Sequence, residues 1–576
     1  MTQKHNPFLH FDFRNKPITF TDPVAIIQAD NLEQVLPAFD KVQEAINNGC
    51  YAAGYVSYEA APAFNHSMKV AGEITMPLLW FGIYNTAVEE KLAVSEDASH
   101  TTDWQPKTTI QDYHNAIKQI KAYIRQGDTY QVNYTIRMQS QFTGNPVAFY
   151  NHLANSQAAN YSAYLDIGDF RILSASPELF FHVKDGIITT KPMKGTVGRG
   201  RTADEDKKNA DWLYQSEKNR AENVMIVDLL RNDLGMIARP GTVRVPELFS
   251  IEKYPTVYQM TSTVTAEIDA AKTIPDIFKA LFPCGSITGA PKISTMNIIN
   301  ELETSPRNVY CGAIGYITPE NEAIFNVPIR TVSIDSLGKA TYGVGGGITW
   351  DSDETEEYEE VLTKAKVLTN KQQDFKLLET IALSSGQYLV IENHMNRLER
   401  SASYFDFPFD RNSLTQQLTD ISKQHPGGKW KVRVLLSKNG TLHVEVLHET
   451  SETLDGAKVA LAKQPINSSS IFLYHKTTNR VLYENARKAF PDVFDVLLWN
   501  EKNELTEFTK GNVVVEIAGA FYTPPVACGL LAGTYRESLL EEGRITERVI
   551  KVEELPACSG IWFINSVKEW VEVKLE

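Results

Sequence analysis

The chain has 576 residues, 43% hydrophobic and 22% charged, which is enough apolar material for large packed cores and too much for a disordered chain. Asp and Glu (71) outnumber Lys and Arg (57), and the formal charge of −14 is the opposite of the basic balance a general nucleic-acid binder carries. Cys50, Cys284, Cys311, Cys528 and Cys558 are odd in number, scattered and without CxxC or Cys/His metal spacing, so they read as reduced thiols rather than a disulfide or zinc framework.

The opening Met-Thr-Gln-Lys-His-Asn-Pro-Phe has no apolar run behind its basic residues, so no secretory signal is expected. Strand-like runs at 51–58, 170–174 and 187–192 alternate with helical patterns over 111–126 and 203–234 at no fixed period, which predicts a mixed α/β fold and excludes a solenoid. The polar stretch 90–109 reads as a surface loop. A helix over 354–366 would put Glu357, Glu360 and Lys364 on one face, with Val361, Ala365 and Leu368 on the other. A fresh strand-like Leu-Leu-Glu-Thr-Ile-Ala-Leu follows residue 376, which places a boundary near 372 and predicts two domains, 1–372 and 373–576. The apolar stretch 513–533 contains Glu516, Pro524 and Pro525, which a membrane helix would not tolerate. No membrane partner and a cytoplasmic location are expected.

Charges such as Glu222 or Glu360 seen alone are most often solvated surface. Their setting gives them meaning. Two helices offer carboxylates that suit Mg²⁺, a hard ion taking oxygen ligands. Directly before the second helix, Tyr342-Gly-Val-Gly-Gly-Gly-Ile-Thr349 offers bare backbone amides that could approach an anion. Upstream stand Ser176-Pro-Glu178, Pro192-Met-Lys-Gly-Thr196, Gly285-Ser-Ile-Thr-Gly-Ala-Pro-Lys292, Tyr310-Cys-Gly-Ala-Ile-Gly-Tyr316 and Ile329-Arg-Thr331.

In this order the motifs resemble those of the chorismate-utilising enzymes, the family of anthranilate synthase, isochorismate synthase and aminodeoxychorismate synthase component I. The match covers roughly residues 110–370, with a looser N-terminal part containing Gly54-Tyr-Val-Ser-Tyr-Glu59. The resemblance implies an anthranilate synthase component I-like fold with Glu222 and Glu360 as Mg²⁺ ligands and Glu357 on metal-bound water. It also implies that Tyr310 and Arg330, with the amides of Gly345, Gly346 and Gly347, clamp a chorismate carboxylate. Ser286 and Lys364 would contact substrate, and Glu178 would assist loss of the ring hydroxyl. Lys194 stands where anthranilate synthases resemble Pro-Ile-Ala-Gly-Thr and aminodeoxychorismate synthases carry lysine. A lysine of lowered pKa can act as a nucleophile. The implied reaction is attack on C2 of chorismate, loss of the C4 hydroxyl and opening by ammonia to 4-amino-4-deoxychorismate. Three positions depart from the family pattern: Gln259 stands where histidine is common, and Asn219 and Asn223 where Glu and His are common. No cysteine lies in a Gly-x-Cys-x-Gly turn, so ammonia is expected from solution or from a separate glutamine amidotransferase subunit.

Further on, His394-Met-Asn-Arg-Leu-Glu-Arg-Ser-Ala402, Tyr474-His-Lys-Thr-Thr-Asn-Arg480, Leu505-Thr-Glu-Phe-Thr-Lys-Gly-Asn512 and Gly533-Thr-Tyr-Arg536 follow in an order that resembles the fold-type IV pyridoxal-phosphate enzymes. That group includes class IV aminotransferases and aminodeoxychorismate lyase. The resemblance implies Lys476 as the Schiff-base lysine, Glu507 against the pyridine nitrogen, and Arg397 with the amides of Thr534 and Tyr535 on the phosphate. The Gly-Asp-Gly segment that usually precedes Phe-Glu-Thr is absent, leaving Leu377-Leu-Glu-Thr380 and a domain shortened at its front. The two halves together imply synthesis of 4-aminobenzoate, with Lys476 as the base for the C4 proton. The alternative is an isochorismate or anthranilate synthase fused to an amino-acid aminotransferase, and Lys194 argues against the anthranilate branch more than the isochorismate branch. A non-catalytic binding protein would not need Glu178, Lys194, Glu222, Glu360 and Lys476 together.

Overall fold

The computed structural model describes residues 6–95, 97–157, 159–369, 374–449 and 456–576. Residue 372, where the sequence places the boundary, lies outside them. The chain forms two compact units, Met1–Gly198 with Asn209–Gln372, and Arg199–Lys208 with Gln373–Glu576.

The first unit is built on two ten-stranded sheets. Strand Phe8–Phe13 turns Leu9, Phe11 and Phe13 to one side, as period-two alternation requires, and they pack with Tyr55, Trp80, Ile314 and Ile324 of the other sheet. Sheet therefore faces sheet. Helices cover the outer faces: Leu32–Asn47 and Ile274–Leu281 enclose one core with Phe181 and Phe325, and Ile110–Gln126 and Glu354–Ala365 another with Tyr134 and Tyr342. The stretch 203–234, read as one helical pattern, is two helices, Ala203–Gln215 and Glu217–Gly235. Ser216 caps the second by accepting the Asn219 N–H at 3.4 Å. The 90–109 stretch contributes two short strands, Ser99–Thr101 and Gln105–Pro106, to the edge of strand Gln131–Gly144.

The second unit pairs a four-stranded sheet, backed by helices Ile391–Phe405 and Arg411–Gln424, with an eight-stranded one. Within the larger sheet, strands Leu505–Phe508 and Asn512–Ile517 pair at Glu507↔Asn512 and close six strands into a small barrel. Arg199–Lys208 belongs to this unit through specific bonds. Arg199 pairs with Asp206 and donates to Tyr404 O at 2.9 Å, Tyr404 Oη donates to Gly200 O at 2.7 Å, and Arg201 donates to Tyr474 Oη at 3.0 Å. Among the described residues no helix is long and apolar enough to cross a membrane.

Candidate active sites

In the first unit Lys194 lies on strand Met193–Gly198, whose pairing with Val257–Glu267 is irregular between Met193 and Thr196. Such a bulge re-aims a side chain. Gly195 has φ of 93°, and a Cβ there would stand 3.0 Å from Asn219 of the helix that carries Glu222. The glycine run is the end of strand Lys339–Ile348. Up to Tyr342 that strand is flanked on both sides, but residues 343–348 pair as a strand with Gln131–Gly144 alone, which leaves one edge without a neighbouring strand. A Cβ on Gly347 would lie 3.1 Å from Lys194 Nζ, and one on Gly346 would lie 3.4 Å from Glu357 Oε2. The bare strand is therefore the wall against which the lysine and carboxylate rest.

The charges around Lys194 oppose each other. Burial pushes its ammonium pKa down, while Glu222 and Glu178 pull it up and Lys364 adds to the lowering. Glu178 is buried and its pKa is pushed up to about 7 by that burial, against the Ser286 hydroxyl, Lys194 and the Met193 N–H. At neutral pH it is poised between acid and carboxylate. Ser286 sits in the turn Gly285–Ile287, with Oγ 3.2 Å from Cys284 Sγ. Tyr310 is buried beneath the Arg137 guanidinium, and its ring fills the place of a Gly343 Cβ. Arg330 has φ of 52°, a strained value for a non-glycine residue, and is held among Tyr254 and Tyr342. Both residues interact electrostatically with Tyr342.

Glu360 interacts electrostatically with both Glu222 and Glu357, and raises the pKa of each beyond the larger effect of burial. Lys364 Nζ lies 2.7 Å from Glu360 and donates to Gly345 O at 3.0 Å, and Ser352 Oγ donates to Glu357 at 2.6 Å. Among the described residues no three His, Cys, Asp or Glu side chains converge as a preformed metal cage. Like charges gathered on two helices nonetheless suit Mg²⁺, which keeps several waters and needs few protein ligands.

Gln131 belongs to none of the sequence motifs. It is buried, its Oε1 has no partner, and its Nε2 lies 1.9 Å from the Cβ position of Gly347, so its carboxamide points at the same bare backbone as Lys194. The nearest signal is its ladder neighbourhood with the glycine strand, which sequence does not reveal. Of the three departures, Asn223 accepts the Ser262 Oγ proton at 2.5 Å and Asn219 donates to Ser216 Oγ at 2.9 Å. Gln259 pairs with Thr196 two residues from Lys194.

In the second unit one cavity is lined by Lys476, Arg397, Glu507, Arg480, Thr534 and Tyr535. The pKa of Lys476 is lowered to about 8, first by burial and then by Arg397 and Arg480. Glu507, at the barrel-closing pair, is buried with its pKa raised to about 7. Thr534 and Tyr535 open helix Thr534–Glu541, whose first amides lack helical partners and favour an anion. Arg397 gives Nε and Nη2 to Glu379 at 2.8 and 2.6 Å and Nη1 to Ala532 O at 2.9 Å. Glu379 also meets His394 Nδ1 at 2.6 Å, and His394 Nε2 lies 3.1 Å from both Ser566 Oγ and Thr534 Oγ1. Glu379 and Ser566 thus join the site. A buried lysine of lowered pKa, a buried carboxylate lining the same cavity, and an arginine beside a helix N-terminus fit pyridoxal phosphate at its aldehyde, ring nitrogen and phosphate.

Fold and site together define a chorismate binding enzyme: the model of that family matches residues 6–370, and the chain belongs to it. Amino-transferase class IV matches residues 376–575, so a second family model follows the first along the chain. Aminodeoxychorismate synthase component 1 of Salmonella typhimurium is 35% identical over 377 residues, 61% of this chain and 82% of that protein. Anthranilate synthase component 1 of Aquifex aeolicus is 38% identical over 277 residues, 48% of this chain and 56% of its own. The crystal structure of anthranilate synthase component I from Streptococcus pneumoniae superposes with a TM-score of 0.53 at 27% identity, covering 64% of this chain and 93% of that one.

Proposed function

We propose that the chain makes 4-aminobenzoate from chorismate and ammonia in two steps, one in each unit. The observation that carries the first step is that Lys194, beside the Gly347 backbone, is buried within electrostatic reach of Glu178. The neutral Lys194 amine attacks C2 of chorismate, the ring double bond shifts, and the C4 hydroxyl leaves with the Glu178 proton. Ammonia then adds at C4 and expels Lys194 from C2, so that chorismate and ammonia give 4-amino-4-deoxychorismate and water. Gln131 offers an unpaired amide oxygen to an ammonia N–H. Tyr310, Arg330 and the free strand edge at Gly345–Gly347 hold a substrate carboxylate. Glu222 and Glu360 would hold Mg²⁺, with Glu357 on its water and Lys364 beside it, and the ion would neutralise substrate carboxylate charge.

In the second unit Arg397, Thr534 and Tyr535 would hold the phosphate of pyridoxal phosphate, and Glu507 its ring nitrogen. Bound there, the cofactor supplies an electron sink that acidifies the C4 proton. The Lys476 amine takes that proton, and the ring aromatises as the side chain leaves as pyruvate. The relatives' designation as component 1 supports a separate glutamine amidotransferase as the ammonia source. The anthranilate synthase of Aquifex aeolicus supports a second reading, in which amination falls at C2 and the class IV domain is an ordinary aminotransferase. Lys194→Ala separates the two readings. It should abolish 4-amination while the variant still turns supplied aminodeoxychorismate into 4-aminobenzoate and pyruvate. Undiminished 4-amination, or failure of the protein to release pyruvate, would overturn the corresponding step.

A further inference from the structure

Glu507 stands at the barrel-closing turn with both oxygens engaged by the protein. Tyr483 Oη donates to Oε1 at 2.8 Å, and the Asn512 amide lies 3.4 Å from Oε2 while also donating to Leu531 O at 2.9 Å. The Leu531 N–H adds a further donor. Tyr483 lies on helix Val481–Lys488 and is buried in the wall of the Lys476 cavity. Its ring is held in place by the Arg480 guanidinium, whose carbon sits 4.4 Å from the ring centroid, and Arg480 is itself fixed by donation to Thr509 O. Tyr483 thus connects the segment that carries Lys476 with the strand that carries Glu507.

We propose that Tyr483 is a positioning residue that holds Glu507 as an anion, aimed into the cavity, so that a protonated pyridine nitrogen can rest on it. This rests on the pyridoxal-phosphate reading of the second unit. A carboxylate buried this deeply favours its neutral form, and the hydrogen bonds donated to Glu507 oppose that and favour the charge. Burial and Glu507 hold the phenol pKa of Tyr483 well above the ordinary tyrosine value, so it remains a donor throughout the working range. Without that donor the proton shared between ring nitrogen and carboxylate moves to Glu507. The ring then loses its positive charge, and with it the capacity to accept electron density from the substrate carbon.

The test uses the full chain loaded with pyridoxal phosphate labelled with ¹⁵N in the ring. Wild type, Tyr483→Phe, Glu507→Gln and the double variant are compared by ¹⁵N shift, by the pH titration of the visible band, and by pyruvate release. Tyr483→Phe keeps the ring under Arg480, and should retain the cofactor on Lys476. Its nitrogen signal should move toward the unprotonated value, and kcat should fall about 10- to 100-fold, the effect of losing one hydrogen bond to a charged group. In the double variant the tyrosine change should add little to Glu507→Gln, because both act on one proton. Wild-type ¹⁵N and band titration in Tyr483→Phe, with the cofactor bound, would overturn the proposal alone. A wild-type protein that takes up no pyridoxal phosphate would overturn the cofactor reading, and the proposal with it.

Discussion

Glu379 shows how one buried carboxylate organises a site. Burial alone would raise its pKa, but Arg397 and His394 outweigh that and hold it well below the ordinary carboxylate range. A group whose pKa is depressed on folding stabilises the protein above its unfolded pKa, about 4.3 for glutamate, and loses that contribution as pH falls toward the folded value. Glu379→Gln leaves Arg397 as a buried, uncompensated charge, a change that costs about 3–5 kcal/mol. Hydrogen exchange along strand Leu377–Ser384 at pH 7 should accelerate accordingly, and the difference from wild type should shrink below about pH 4. Equal protection at neutral pH would show that Arg397 has another counter-charge. His394, Arg397 and Lys476 were legible from short motifs, because helix spacing and a lysine-centred turn are local properties. Glu379, Ser566, Tyr483 and Gln131 were not. The Gln131 side chain meets Gly347 two residues along from Asn133, the ladder partner of Gly347, and sequence periodicity carries no register.

The glycine strand is the element on which the first site depends. Glycine is depleted in strands, and the pairing with Gln131–Gly144 overrides that preference. Two of its glycines make a discriminating pair of variants. A Cβ on Gly347 meets only the Gln131 and Lys194 side chains at its nearest points, whereas one on Gly345 would lie 2.1 Å from the Tyr134 carbonyl oxygen. Gly347→Ala should therefore fold, as judged by thermal melting, and lose amination by about 100-fold through displacement of Lys194. Gly345→Ala should be unstable. A fully active Gly347→Ala would mean that Lys194 does not work against this strand. Segment Arg199–Lys208 is a second such element, and nothing in its sequence marks it as part of the second unit. Its bonds to Tyr404 and Tyr474 predict that a fragment starting at residue 373 is markedly less stable than the same unit in the full chain. Denaturation followed at the Lys476 cavity checks this, and equal midpoints would contradict it.

For the whole molecule, mixed α/β architecture and the two family resemblances were legible, since motif order survives where pair contacts do not. The closed barrel, the facing ten-stranded sheets and the free edge beyond Tyr342 came only from long-range pairing. The central claim is that this one chain aminates chorismate at C4 and then removes pyruvate. The most direct measurement supplies the full chain with chorismate, Mg²⁺, pyridoxal phosphate and ¹⁵N-ammonium at mildly alkaline pH, and identifies products by mass. The account predicts ¹⁵N-labelled 4-aminobenzoate and pyruvate in equal amounts, with label accumulating as 4-amino-4-deoxychorismate in Lys476→Ala. Labelled anthranilate, unlabelled isochorismate, or pyruvate without 4-aminobenzoate would contradict it.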